Sequence, residues 1–190
     1  MDSKDIQKKD INKKGFKTLD LVYIAIGAAL IAICSWITVP TTVPFTMQTF
    51  AVFAILIMLG GERGTIATLV YILLGAVGVP VFSGFQGGIN VLLGKTGGYI
   101  IGFLFMGLIY IGFTKVFPKK IWIEIIALVL GLAFVYAFGT AWFMVVYMKN
   151  TGAVGLFTVL TWCVFPFIIP DLIKMALAFL VAKRVKKVIQ

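Results

Sequence analysis

Long apolar segments separated by short polar turns constrain the fold of this chain more than any motif does. Hydrophobic residues make up 61% of the sequence and charged residues 13%, whereas ordinary soluble domains carry about 25% charged residues. A membrane-crossing helix needs about 20 apolar residues, so a chain of this length has room for about six. The sequence therefore predicts an all-α membrane protein, a bundle of six transmembrane helices.

The apolar segments give the predicted boundaries. The six spans cover residues 19–38, 47–60, 65–80, 97–116, 121–148 and 156–182. They form one predicted transmembrane domain, residues 19–182, between a basic N-terminal arm, residues 1–18, and a basic C-terminus, residues 183–190. The arm is too polar, and too long before the first apolar segment, for a cleavable signal peptide. We therefore expect it to be retained on the cytoplasmic side.

The distribution of Lys and Arg predicts the orientation of the helices. Six of these residues lie in the N-terminal arm and four in the C-terminus, and the turns predicted for the same side add Arg63, Lys115, Lys119 and Lys120. The turns predicted for the opposite side carry Lys95 and Lys149. By the positive-inside rule, both termini are cytoplasmic. The net charge of +10 is thus explained by membrane topology, and no nucleic-acid partner is predicted.

The stretch GGINVLLGKTGGY, residues 87–99, has the look of a phosphate-binding loop. Such a loop has four residues between its first Gly and the Gly-Lys-[Ser/Thr], but Gly88 and Gly94 enclose five. The predicted orientation also places this loop on the outer face, where there is no ATP. Because the chain has no His and no acidic cluster, neither a catalytic centre nor a metal site is predicted.

Two segments on the predicted outer face, residues 38–50 and 79–99, are irregular and yet apolar. Irregular backbone near membrane depth is tolerated where it packs in protein or lines a cavity. We therefore expect both segments to fold back as lids over a ligand pocket; the alternative is a pair of re-entrant plugs. The apolar side chains expected to be buried in them are Val39, Val43, Phe45, Val81, Phe82, Phe85, Ile89, Val91 and Leu92.

The last span contains two charged residues, Asp171 and Lys174, in an otherwise apolar stretch. Their spacing of i and i+3 places both on one face of a helix. Charges inside a membrane are costly and usually mark a functional site, although a self-neutralising pair that only fixes helix packing is the alternative. Pro170 directly before the pair is expected to bend the helix.

Four motifs together suggest a family: VPFTMQTF (43–50), YILLGAVGVPVFSG (71–84), GKTGGYIIGF (94–103) and PDLIK (170–174). With them, from about residue 20 to 182, the chain resembles the BioY family of biotin-specific S-components of energy-coupling factor (ECF) transporters. The resemblance implies a high-affinity biotin-binding protein of the plasma membrane that is not an enzyme and needs no cofactor. Its implied partners are a transmembrane coupling subunit and two ABC ATPases, which drive import.

The resemblance also suggests which residues contact biotin. The ligand offers ureido N–H donors, a ureido oxygen, an apolar ring and chain, and a carboxylate, so its site needs a strong acceptor, a few neutral polar groups and apolar walls. Asp171 is the expected acceptor of a ureido N–H, and Lys174 either steadies Asp171 or reaches a ligand oxygen. The remaining candidates are two amides and two aromatic walls: Gln48, Asn90, Tyr99 and Trp142.

Docking to the coupling subunit is associated in this family with an Ala-x-x-x-Ala pattern on the first helix. In this chain the pattern fits either Ala25 and Ala29 or Ala28 and Ala32, and small residues let helices approach closely. Three alternative functions stay open at this point. They are an S-component for thiamine or riboflavin, an intramembrane enzyme using Asp171 and Lys174, and a channel or structural subunit without a saturable ligand.

Overall fold

A computed structural model describes residues 17–118 and 120–189, with side chains described as far as residue 185. Most of the predicted N-terminal arm, Lys119 and the end of the predicted C-terminus lie outside the described residues. The described helices are α1 Thr18–Trp36, α2 Gln48–Leu59, α3 Gly61–Ala76, α4 Ile89–Leu93, α5 Gly97–Val116, α6 Ile121–Thr151, α7 Leu156–Cys163 and α8 Phe165–Ile189. A small antiparallel hairpin, β1 Thr38–Val39 with β2 Phe45–Thr46, connects α1 to α2.

Four helical segments in the described part of the chain are long and apolar enough to cross a membrane. They are α1, α5, α6 and the segment Leu156–Val185, which contains α7 and most of α8. The helices α2 and α3 are shorter, at 12 and 16 residues, which is below the length of about 20 residues that a span requires. The chain is thus a mostly helical, multi-pass membrane protein, while the count of six spans and the cytoplasmic termini stay predictions.

The short helix α2 lies at the centre of the bundle. Its neighbours are α1, α3 and α8, and its residues are buried on every side, with Val52, Phe53 and Leu56 fully inaccessible. A helix that is apolar all round suits either lipid or the protein interior, and the packing of its neighbours places α2 in the interior. The first residue of α2, Gln48, is therefore held in the interior, where the site described below forms.

The third predicted span begins four residues earlier than expected, at Gly61 instead of residue 65. Gly60 alone makes the turn from α2 to α3, with a φ of +83°. This left-handed conformation is one that glycine adopts without steric cost. Arg63, expected in the turn, lies in the first turn of α3, where its guanidinium is 2.8 Å from the carboxylate of Asp20 in α1.

The last predicted span is interrupted. The helix breaks at Val164, where φ is −126° and ψ is −60°, while α8 continues through Pro170. The interruption is therefore at Val164 and not at Pro170, and the bend expected at Pro170 stays a prediction. Pro166 explains the position of the interruption, because a proline is accommodated in the first turn of a helix, where its missing N–H needs no partner. The new helix α8 begins one residue before it.

The helices α5 and α6 pack along each other more extensively than any other pair. Two glycines allow this near the hairpin. A Cβ atom on Gly98 would lie 2.3 Å from the Cβ of Trp142, and one on Gly139 would lie 2.2 Å from the ring of Tyr99. Side chains are excluded at both points, so α6 is held against α5 and presents Tyr136 to the interior.

Candidate functional site

A cavity of about 270 Å³ lies between the long helices and two connecting segments, residues 38–46 and 80–96, here called the lid segments. Ligand pockets typically have volumes of about 300–1,000 Å³, so this one suits a compact ligand. The lid segments contribute Thr38, Pro40, Val43, Phe82, Ser83, Gln86 and Thr96 to its wall. The helices contribute Gln48, Tyr99, Phe103, Val135, Tyr136, Phe167, Asp171 and Lys174.

The two charged residues predicted from the last span form an ion pair in the cavity wall. Lys174 Nζ lies 2.9 Å from Asp171 Oδ1, and the two side chains are only 5% and 4% exposed. Both residues project from the same face of α8, since they are less than one turn apart. A buried pair of this kind is stable only when further hydrogen bonds satisfy the charged atoms.

Tyr136 of α6 supplies one of those hydrogen bonds. Its hydroxyl donates to Asp171 Oδ2 at 2.7 Å, so each carboxylate oxygen of Asp171 has one donor. The sequence does not single out Tyr136, because a tyrosine within an apolar helix is ordinary. The available signal was chemical: a buried tyrosine hydroxyl usually has a hydrogen-bond partner, and the last span offered an acidic one.

Lys174 also connects α8 to the first lid segment. Its Nζ donates to the backbone oxygen of Thr46 at 2.7 Å and lies 4.0 Å from the centre of the Phe45 ring. An ammonium over an aromatic face is attracted to the negative face of the ring. The cation that pairs with Asp171 thus also holds the hairpin over the cavity.

Two of the other predicted residues, Gln48 and Tyr99, line the same cavity. Gln48 Nε2 donates to the hydroxyl of Tyr71 at 3.1 Å, and the hydroxyl of Tyr99 shares a hydrogen bond of 3.2 Å with Thr140. Both side chains are therefore oriented by neighbours on other helices. Their contact with a ligand stays a prediction.

The structure does not bring Asn90 or Trp142 into the cavity wall. Asn90 lies exposed on the short helix α4. The indole of Trp142 donates to the backbone oxygen of Gly94 at 2.9 Å, and its Cβ packs against Gly98. Trp142 therefore stabilises the turn before α5. The sequence suggested both for the chemistry of their side chains, and that chemistry does not reveal which way a side chain faces.

The lid segments are buried only in part. Val43, Val81, Phe82 and Leu92 are buried as expected, but Val39, Phe85 and Ile89 are more than half exposed, so their expected burial was wrong. In the hairpin, alternation explains this: adjacent strand residues face opposite sides, and Thr38 takes the cavity side. The ring of Phe85 stacks instead on Trp36, 4.9 Å away.

The structure separates the two alanine pairs on α1. Ala28 and Ala32 are buried, at 3% and 6% exposure, in the interior of this chain. Ala25 and Ala29, on the adjacent strip of the same helix, are exposed. Of the two predicted docking pairs, only the exposed pair is accessible to a partner helix.

Comparison with known proteins places this geometry in a family. The BioY family model matches residues 7–190. The "Biotin transporter BioY" of Thermotoga maritima is 39% identical over 168 residues, which cover 88% of this chain and 95% of that protein. The "Probable biotin transporter BioY" of Pyrococcus horikoshii is 35% identical and covers 90% of this chain and 98% of its own length.

A solved structure gives the same result for the fold. The crystal structure of the S-component for biotin from an ECF-type ABC transporter superimposes with a TM-score of 0.76, at 28% identity, over 91% of this chain and 95% of that one. The shared fold and the sequence matches cover nearly the whole of the described chain. This protein belongs to the BioY family.

Proposed function

We propose that this protein is the high-affinity biotin-binding S-component of an ECF importer. The observation that carries the proposal is the buried ion pair of Asp171 and Lys174 in a mostly apolar cavity bordered by the lid segments. BioY proteins are transport proteins, and the chain is accordingly a transport protein and not an enzyme. Biotin is its ligand in this proposal, and no cofactor is implied.

The chemistry of biotin fits the wall of the cavity. The Asp171 carboxylate accepts a ureido N–H in a charge-assisted hydrogen bond, which is stronger than a bond between neutral groups. Lys174 either keeps that carboxylate in place or donates to a ligand oxygen. The apolar ring and chain of biotin pack against Phe103, Val135 and Phe167, which line the cavity.

The proposed location is the plasma membrane, and the proposed topology has six spans. The short helices α2 and α3 both cross the membrane, and both termini are cytoplasmic. The Lys and Arg distribution supports it. The lid segments then face the outside, where biotin is captured. A cysteine introduced near either terminus and treated in intact cells with a membrane-impermeant, cysteine-reactive label tests the orientation, since labelling from outside would contradict it.

Equilibrium binding of radiolabelled biotin to the detergent-purified protein tests the ligand. We expect saturable one-to-one binding that unlabelled biotin displaces and that thiamine and riboflavin do not. Biotin should also raise the melting temperature by mass action, because it binds the folded state. Displacement by thiamine or riboflavin would assign a different vitamin, and recovery of chemically altered biotin would indicate an enzyme instead.

Docking to the coupling subunit is proposed to use Ala25 and Ala29, the exposed pair on α1. Replacing either with Trp should lower biotin uptake in cells that contain the whole transporter, because the bulky side chain keeps a partner helix away. Biotin binding to the isolated protein should persist. Ala28→Trp is the matched comparison: Ala28 is 3% exposed, so this variant should lose stability first. Normal uptake with both Ala25→Trp and Ala29→Trp would remove this face as the docking surface.

A further inference from the structure

Tyr136 is a cavity residue that contacts the proposed biotin acceptor, Asp171. It lines the cavity from α6 and donates its hydroxyl hydrogen to Asp171 Oδ2 at 2.7 Å. Lys174 binds the other oxygen, Oδ1, at 2.9 Å from within α8. Asp171 is thus held between donors from two different helices.

This arrangement fixes the orientation of the carboxylate. A carboxylate with one donor rotates about its terminal bond, and Lys174 alone would allow either oxygen to face the ammonium. A second donor on the second oxygen, from a rigid ring on a separate helix, removes that freedom. Each oxygen retains lone-pair capacity for a further donor, because a carboxylate has about four acceptor positions in total. The Asp171 carboxylate therefore presents acceptors in one fixed direction.

Fixed acceptors select for ligands by their donors. A ligand that offers N–H groups to Asp171 gains charge-assisted hydrogen bonds, whereas one that offers oxygen acceptors there meets electrostatic repulsion and leaves its own polar atoms unpaired. A site built to hydrogen-bond a particular group discriminates strongly against analogues that lack it. The Tyr136 hydrogen bond is therefore expected to increase ligand discrimination as well as affinity.

We infer that Tyr136 is a positioning residue that fixes the Asp171 carboxylate and so makes the site selective for a ligand with N–H donors. This inference rests on the proposed biotin-binding function. Tyr136 acts through Asp171 and need not touch the ligand, and this distinguishes it from a residue that only fills space in the cavity wall.

A double-mutant cycle tests this coupling. Tyr136→Phe should weaken biotin binding about tenfold in the parent protein, which corresponds to about 1.4 kcal/mol. In an Asp171→Asn background the same change should cost less than about twofold, because no charged acceptor remains to be positioned. Tyr99→Phe is the matched comparison, since Tyr99 lines the same cavity but its hydroxyl bonds to Thr140. Its effect should be the same in both backgrounds.

A second test changes the ligand instead of Asp171, so it applies even if the Asp171→Asn protein does not fold. It uses an analogue of biotin in which ring oxygens replace both ureido N–H groups, measured by competition. Tyr136→Phe should lower the preference for biotin over this analogue about tenfold. A merely structural role would weaken both ligands equally. Tyr110→Phe, which removes another buried tyrosine hydroxyl away from this cavity, should leave the preference unchanged.

The outcomes separate the two proposals. If the parent protein binds no biotin, the proposed function is wrong and this inference fails with it. If the parent binds biotin but Tyr136→Phe costs the same in both backgrounds and for both ligands, the proposed function stands and Tyr136 is structural. The positioning role is supported if Tyr136→Phe weakens biotin binding in the parent protein more than in the Asp171→Asn background, and weakens biotin more than the oxygen analogue.

Discussion

Two ion pairs, one at each end of the bundle, differ in burial. At the lid end, Asp171 and Lys174 pair at 2.9 Å with side chains about 5% exposed or less. At the Gly60 end, Lys115 and Glu62 pair at 2.6 Å with side chains 63% and 61% exposed. The cavity at the Gly60 end is the larger of the two, at about 390 Å³ against about 270 Å³. Volume and ion pairing alone therefore do not mark the ligand site.

Burial makes the difference between the two pairs. In water, an ion pair gains little, because solvent screens the charges and two long side chains lose conformational entropy. In the interior, each charge has already lost its hydration, so its partner becomes indispensable. The lid end also supplies Tyr136 and the Thr46 carbonyl as further partners. A ligand that enters there meets oriented, poorly hydrated polar groups.

The largest effect is expected from breaking the buried pair. Lys174→Met should lower the free energy of unfolding by about 3–5 kcal/mol, because the Asp171 carboxylate remains buried without its cation. Thermal unfolding in detergent, without biotin, measures this. A loss no greater than that of an exposed pair would mean that water reaches Asp171, and the contrast between the two ends would then disappear.

Removing only the negative charge should have a smaller effect, seen in ligand binding. Asp171→Asn keeps the volume but removes the anion, so biotin affinity should fall by about 1.5–3 kcal/mol, which is about ten- to over one hundredfold. Isothermal titration calorimetry measures it, and Glu62→Gln at the Gly60 end is the matched control with unchanged affinity. A folded Asp171→Asn protein with the affinity of the parent would show that Asp171 is structural.

The helix α5 allows the ends to be compared on one element. Gly98→Ala at the lid end places a methyl group 2.3 Å from the Cβ of Trp142 and should cost about 1–3 kcal/mol of stability through overpacking. Gly112→Ala near the other end meets no atom within 4 Å. It should add about 0.5–1 kcal/mol, since Ala is favoured over Gly in a helix. Melting curves of the two variants should therefore shift in opposite directions.

The smallest effect is expected at the exposed pair. Lys115→Met should change the free energy of unfolding by less than about 1 kcal/mol, because the Lys115 and Glu62 side chains are both mostly exposed. The same melting experiment as for Lys174→Met applies. A loss comparable to that of the buried pair would show that the Gly60 end is covered in the membrane or in a detergent micelle and would weaken the comparison.

The candidate site was predictable where a residue conflicts with its local surroundings. Asp171 and Lys174 stand out because a charge in an apolar span has to be explained. Tyr136 does not stand out, since its partner is 35 residues away in sequence and its ring suits an apolar helix. Asn90 was suggested by its amide group, but its exposure is decided by how α4 packs on its neighbours.

The helix boundaries were likewise predictable only in part. The ends of α5 matched the prediction at both residues, because a glycine pair and a basic turn bound one uninterrupted apolar run. The start of α3 did not, since Gly60 alone makes a turn that the sequence GGERG would also allow over several residues. Helix boundaries depend on small differences in local free energy, which contacts between helices readily override.

The sequence by itself determined that the chain enters a membrane and carries one charged pair on one helix face, because hydropathy and i, i+3 spacing are local properties. Only the tertiary structure decided that Ala28 and Ala32 face inward while Ala25 and Ala29 face outward. It also decided that Tyr136 meets Asp171 and that Lys174 holds Thr46. The last two contacts join residues far apart in the chain. The two alanine pairs of α1 lie on neighbouring apolar strips of the helix, so no local pattern distinguishes the face that packs from the face left free.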